Sequence, residues 1–142
     1  MAALIEKIKE GTAELANETS RLVETKPITP EMHGAIDYPH AALNLAAPLV
    51  FGLTGVAALA TALWGMTGAI MNPLTNHRYA LKRTLPFSTH GKIEKWSGLA
   101  LLGLVALAGG LRRKRNRNYL LPYAAAEFLI YNLTDWKARP KR

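Results

Sequence analysis

Ala41 to Met71 contains no Asp, Glu, Lys or Arg. A helix that is apolar all round cannot rest one face in water, so lipid or other protein is the expected surrounding. A membrane helix needs roughly 20 residues. The run is too long for one such helix and short for two. Pro48, Gly52, Thr54 and Gly55 cluster near its middle, and Gly and Pro mark breaks and turns. If the first helix begins earlier, near His33 to Tyr38, two short helices fit. They are expected over about 34–51 and about 55–72, joined by a tight uncharged turn.

A chain of 142 residues is sized for one domain. Its formal charge of +8 could suit nucleic acid, but the Lys and Arg residues sit between apolar runs. That placement fits basic loops beside a bilayer better than a nucleic-acid groove. The absence of Cys excludes disulfides, thiolate nucleophiles and Cys-ligated zinc or iron–sulfur sites. Met1 to Glu10 has acids and lysines where a signal peptide would have an apolar core. The first apolar helix would then act as its own insertion signal.

Met1 to Lys26 carries an apolar stripe of Met1, Ile5, Ile8, Leu15, Leu22 and Val23 among charges of both signs. It predicts an amphipathic helix weakened at Gly11. Thr29-Pro30-Glu31 predicts a helix start: a capping hydroxyl, a proline at the first position and an acid facing the positive dipole end. A third apolar run, Ile93 to Leu111, ends abruptly at Arg112-Arg113-Lys114-Arg115-Asn116-Arg117-Asn118. A fourth, Tyr119 to Trp136, contains Pro122 and Glu127. Tyr38, Trp96, Tyr119, Tyr123, Tyr131 and Trp136 fall near the expected helix ends, where amphipathic rings favour an interface; Trp64 does not.

Self-similarity organises the rest. His33-Gly34-Ala35-Ile36-Asp37 returns as His90-Gly91-Lys92-Ile93-Glu94, 57 positions on. Leu74-Thr75-Asn76 returns as Leu133-Thr134-Asp135, 59 positions on. Each unit reads as an HGxI(D/E) entry, a helix, a turn, a second helix and an LT(N/D) exit. With four spans, thirteen of the 18 Lys and Arg residues fall on one side. The positive-inside rule then places both termini in the cytoplasm, against which the outward 112–117 cluster stands as an anomaly.

Leu74-Thr75-Asn76, Ala80-Leu81-Lys82, Leu85-Pro86, His90, Glu94 and Ser97-Gly98-Leu99 resemble the junction between units in the SPW-repeat integral membrane proteins. His33, Asp37 and Ala47-Pro48-Leu49-Val50-Phe51-Gly52 resemble the same family's first unit. The likeness covers about 29–137 and omits the N-terminal tail. It departs where Ala47-Pro48-Leu49 replaces Ser-Pro-Trp and where Val105 replaces the second unit's proline. The resemblance implies a small bacterial membrane protein of two helical pairs and brings no activity with it.

Four sets of residues are candidates for function. His33 with Asp37 and His90 with Glu94 are each four apart, so each pair shares a helix face. Two imidazoles and two carboxylates would suit a divalent metal such as Zn or Fe, with His77 a further candidate. The simpler reading is that they satisfy helix-start N–H groups and fix helix entry. Glu127 lies inside the fourth apolar run, with His40, Asn44 or a basic side chain reaching inward as expected partner, and would serve either an interhelical bond or an ion path. Ala57, Thr61, Gly65 and Ala69 form a small-residue row for close helix packing or a homo-oligomer face. Arg112, Arg113, Lys114, Arg115 and Arg117 form a basic loop for lipid headgroups or acidic protein. No P-loop, dinucleotide fingerprint or Ser/His/Asp set is evident.

The sequence therefore predicts an all-α integral membrane four-helix bundle built from two tandem helical pairs, with an N-terminal amphipathic helix. Residues 1–28 would be the N-terminal helix and tail, 29–137 the four-span domain (repeats about 29–77 and 86–137) and 138–142 a basic tail. The expected role is a non-enzymatic accessory or partner-binding subunit of the bacterial cytoplasmic membrane, without a cofactor. Its expected partners are the lipid bilayer and either further copies or a larger membrane complex, not nucleic acid. The alternatives are an ion or small-solute path through the acids, and a metal- or haem-binding redox protein.

Overall fold

The computed structural model describes residues 1–140; Lys141 and Arg142 of the expected basic tail lie outside the described residues. Five α-helices follow in order: α1 Ala2–Thr25, α2 Pro30–Val50, α3 Val56–Leu74, α4 Phe87–Leu107 and α5 Lys114–Leu133. A single 3-10 turn, Gly110–Arg112, precedes α5. The fold is all-α, with no strand among the described residues beyond two isolated bridges.

Local chemistry explains the boundaries. Thr29 Oγ1 accepts a hydrogen bond from the Met32 N–H at 3.3 Å, and Pro30 opens α2. A proline suits that position because its missing N–H would have no helical partner. α2 runs through Pro48 and ends at Val50. The turn comes after it, where Gly52 and Gly55 take φ of +63° and +60°, a region that costs an L-residue roughly 1–2 kcal/mol. Gly11, expected to weaken α1, lies inside an unbroken helix.

α2 and α3 form an intimate antiparallel pair, with α4 against α3 and α1 beside α5. The small-residue row explains the closeness. Ala57, Thr61 and Gly65 are buried, while Ala69 is exposed. A Cβ on Gly65 would meet Ala41 O and Leu45 N at 2.8 Å, so the α2 backbone occupies the space a side chain would need. The expected basic loop is mostly helix instead. Arg113 caps α5, and Lys114, Arg115 and Arg117 lie in its first turns. Arg113 Nη1 donates to Thr54 Oγ1 at 2.9 Å, and buried Asn116 exchanges bonds with the Thr54 backbone at 3.2 Å. The segment thus ties the α2–α3 turn to α5.

The expectation of an integral membrane protein is corrected. Among the described residues, no helix is long and apolar enough to cross a membrane. The charge-free stretch is divided between two helices, and each ends in polar turns. α2 opens with Glu31, His33, Asp37 and His40, and α3 closes on Asn72-Pro73. α4 carries Lys92, Glu94 and Lys95, and α5 carries three basic residues and Glu127. The transmembrane spans fall with this finding. So does the placing of the chain in the bacterial cytoplasmic membrane with both termini on the cytoplasmic side.

The interior is polar where it is bulkiest. His33, His77, Asn44, Asn72, Asn116, Thr75 and Thr134 are among the largest fully buried side chains. Among the buried apolar residues, Ala57, Ala60, Val105 and Leu120 form one cluster. Leu49, Val50, Leu59, Leu107 and Phe128 are instead exposed. A buried polar group is the informative observation in any interior, because it must find partners or cost free energy.

Candidate metal centre

Two pairs of backbone bonds place the helix entries. The Ile28 N–H donates to Leu133 O, and the Asp135 N–H to Ile28 O, both at 3.0 Å. The Leu85 N–H donates to Leu74 O, and the Asn76 N–H to Leu85 O, both at 2.8 Å. The second pair repeats the first, entry for entry and exit for exit. Each bridge sets the start of one helix beside the end of another: α2 beside α5, and α4 beside α3.

That arrangement sets a threonine behind each histidine. His33 Nδ1 lies 3.0 Å from Thr134 Oγ1, and His90 Nδ1 lies 2.7 Å from Thr75 Oγ1. Each hydroxyl has one proton, and each donates it to the carbonyl four residues back. Thr134 Oγ1 donates to Ile130 O at 2.6 Å and Thr75 Oγ1 to Met71 O at 2.8 Å. The hydroxyl oxygen can then only accept, so Nδ1 of each imidazole carries the hydrogen. In the neutral ring, Nε2 is left with a bare lone pair.

Both lone pairs point at the same two carboxyl groups. His33 Nε2 is 3.3 Å from Asp37 Oδ1 and 3.1 Å from Glu94 Oε2. His90 Nε2 is 3.3 Å from Asp37 Oδ2 and 3.7 Å from Glu94 Oε2. None of these approaches is a hydrogen bond: His33 Nε2, Asp37 Oδ2 and Glu94 Oε2 are buried without a partner in the chain. The rings of His33 and His90 stand perpendicular, with centroids 5.6 Å apart. One ligand atom each from His33, Asp37 and His90 falls within 4.8 Å of the others.

Burial sets the charges. The His33 and His90 side chains are 1% and 4% exposed, those of Asp37 and Glu94 15% and 11%. Desolvation lowers the basicity of His33 and brings His90 down to about 3, with neighbouring His33 adding to the effect on His90. It raises Asp37 to about 7 and Glu94 to about 8. For Asp37, the His33 charge opposes the rise and that of Glu94 adds to it. Burial thus favours neutral imidazoles and opposes ionisation of both carboxyls in the metal-free centre.

The walls are aromatic and tight. Trp136 lies 4.6 Å from the His33 ring and stacks on Phe87 at 4.9 Å, while its Nε1–H donates to Tyr131 O. A Cβ on Gly91 would meet the Trp136 ring at 2.5 Å, and one on Gly34 the His77 ring at 2.7 Å. The glycine after each site histidine thus makes room for the ring two positions after each site threonine. The threonines and Trp136 escape a reading based on ligand types alone. Their signal is that LT(N/D) and the aromatic after it recur along with the histidines.

The other candidates fall elsewhere. His77 does not join the cluster: its Nε2–H meets Asn72 Oδ1 at 2.9 Å, and its Nδ1 accepts from the Tyr79 N–H at 3.1 Å. Asn72 donates in turn to Gly34 O, so His77 is a fully bonded structural residue. Glu127 Oε1 pairs with His40 Nδ1 at 2.7 Å, and this bond, its largest influence, raises the basicity of His40. Asn44 donates to His40 O and accepts from the Tyr119 hydroxyl. The small-residue row and the basic segment lie in the α2–α3 packing and at the far end of that pair.

Compared with protein-family models, with curated proteins and with solved structures, the chain matches none.

Proposed function

We propose that the protein binds one divalent transition-metal ion through His33, Asp37, His90 and Glu94. The observation that carries this reading is the convergence of two buried imidazole lone pairs and two buried carboxyl groups without hydrogen bonds among them. Four ligands about 2.0–2.1 Å from one tetrahedral centre stand about 3.3 Å from each other. The four imidazole–carboxyl spacings run from 3.1 to 3.7 Å, counting both oxygens of Asp37, and one ligand atom each from His33, Asp37 and His90 lies within 4.8 Å of the others. Two ionised carboxylates and a dication sum to zero charge, the condition under which buried charges are tolerated. Imidazole and carboxylate suit zinc, ferrous iron and manganese, and a set of two of each with four ligands is one that zinc takes. Thr75 and Thr134 complete the site as the outer partners that metal-bound histidines require.

The test is competitive zinc titration of the full chain against a chromophoric chelator. One equivalent is expected to bind, with binding lost in Glu94→Gln and His33→Gln and kept in Glu127→Gln. Binding unaffected by the first two substitutions would refute the proposal.

A second reading concerns the setting of the site. Leu49, Val50, Leu107 and Phe128 are exposed, among many large apolar side chains that do not reach the core, and apolar surface gathered into a patch marks contact with another molecule. It favours a metal-binding subunit that assembles with another protein chain. Sedimentation velocity decides between a larger assembly, which supports this, and a dilution-stable monomer, which contradicts it.

A further inference from the structure

A cleft of about 380 Å³ opens beside the four-residue cluster, within the size range of small-molecule sites. Its body is apolar, walled by Leu99, Leu102, Val105, Leu120, Ala124 and Phe128. Its polar lining gathers Glu94, Tyr123 and Glu127. Glu94, Glu127 and Trp64 also line a narrow space of about 40 Å³ that reaches Asp37, His40 and His90. The larger cleft is therefore continuous in its walls with the cluster, yet most of its surface has no part in it.

The Tyr123 hydroxyl is the telling group. It is buried and has no hydrogen-bond partner in the chain. Glu127 and Asn44 are near enough to influence it, yet they are turned to His40, the His40 carbonyl and Tyr119 and neither meets the hydroxyl in hydrogen-bonding geometry. Burial, with the Glu127 charge second, keeps the phenol protonated. It is a donor waiting for an acceptor, and leaving it unmet costs about 1–3 kcal/mol. The Glu127 charge stands beside it. Lys95, a cation on the lining, is exposed and lies over the Trp96 ring at 5.4 Å. The polar end is thus ill suited to an anion.

We infer that this cleft binds a small neutral molecule with an apolar body and a carbonyl head, the head accepting a hydrogen bond from the Tyr123 hydroxyl. The inference stands on the cleft and Tyr123 and does not require the metal. Calorimetric titration of the full chain with 2-acetylnaphthalene tests it, with 2-naphthoate and naphthalene as comparisons. The ketone is expected to bind at least tenfold more tightly than the carboxylate. Tyr123→Phe should weaken ketone binding roughly five- to tenfold, the loss of one hydrogen bond, and leave naphthalene unchanged. Ala124→Phe should abolish binding of all three by filling the cleft. Leu99→Trp at its exposed rim serves the same purpose should Ala124→Phe fail to fold, as judged by circular dichroism. Absence of ketone binding, equal binding of the carboxylate, indifference to Tyr123→Phe, or binding that survives a folded cleft-filling variant would each overturn the inference. Zinc titration of the same samples reads the metal site separately, so either proposal can fail alone.

Discussion

Replacing Thr134 with Val removes one oxygen and leaves nearly the same volume. In the native site this oxygen accepts the His33 Nδ1–H at 3.0 Å while its own proton is held by Ile130 O. The hydrogen therefore sits on Nδ1 and the lone pair of Nε2 faces the carboxyls. Valine leaves that buried N–H unpaired, and an unmet buried donor costs about 1–3 kcal/mol. The ring can relieve this by moving its hydrogen to Nε2, which then cannot bind a metal. Either way zinc affinity falls, by about 5- to 150-fold from that cost, in line with the roughly 10- to 100-fold typical of lost outer partners. Thr75→Val should act equally on His90, whose bond is 2.7 Å. Thr61→Val is the control, because Thr61 is equally buried and bonds only to its own helix. Chelator competition on folded protein measures all three. Thr134→Val binding zinc like the parent, or Thr61→Val losing as much, would refute the tautomer reasoning.

Zinc binding should weaken as pH falls, because Asp37 and Glu94, raised to about 7 and 8, must lose protons to bind. Up to two protons should be released per zinc near pH 7, readable in a weakly buffered indicator assay. Metal-free stability should behave conversely. Acids raised in the folded state favour folding when protonated and lose that contribution as pH rises through about 7 to 8. The lowered His33 and His90 oppose this only below their ordinary 6.5. Thermal midpoints of chelator-treated protein should therefore drop between pH 6.5 and 8.5, and Glu94→Gln should flatten the drop. Gly91→Ala should destabilise by about 1–3 kcal/mol through overpacking, since its Cβ would meet Trp136 at 2.5 Å. Gly103→Ala, with open space around it, should instead stabilise by about 0.5–1 kcal/mol; denaturant midpoints compare the two. His77→Ala should lower the thermal midpoint and leave zinc stoichiometry at one, as expected of a residue whose ring nitrogens are both bonded.

Much of this was legible in residue patterns. The Thr29-Pro30-Glu31 start, the break near Gly52 and Gly55 and the repeated HGxI(D/E) and LT(N/D) signatures all correspond to features of the fold. Glu127 pairs with His40, one of its expected partners. What remained hidden depends on distance in space. Each histidine pairs with its acid along one helix, a spacing equally suited to fixing a helix end. Only the bridges Ile28 to Thr134 and Leu85 to Thr75 bring the two pairs face to face and crossed with the threonines. The membrane expectation failed for a related reason. The break near 51–55 divides Ala41 to Met71 as expected, but the turns completing each helix are polar, so a charge-free run does not make either helix apolar enough to cross a membrane. The basic run from Arg112 reads as a loop in sequence because it lies between two apolar runs and ends the first of them abruptly. Asn116, buried and bonded to Thr54 and Gly110, anchors that helix start instead.

X-ray absorption at the zinc edge of the zinc-loaded full chain is the most direct measurement. The proposed centre gives four nitrogen and oxygen ligands at about 2.0–2.1 Å, with outer-shell scattering from two imidazoles that His90→Gln should lose. A shell of six oxygens without imidazole scattering, or a spectrum indifferent to His90→Gln, would contradict it.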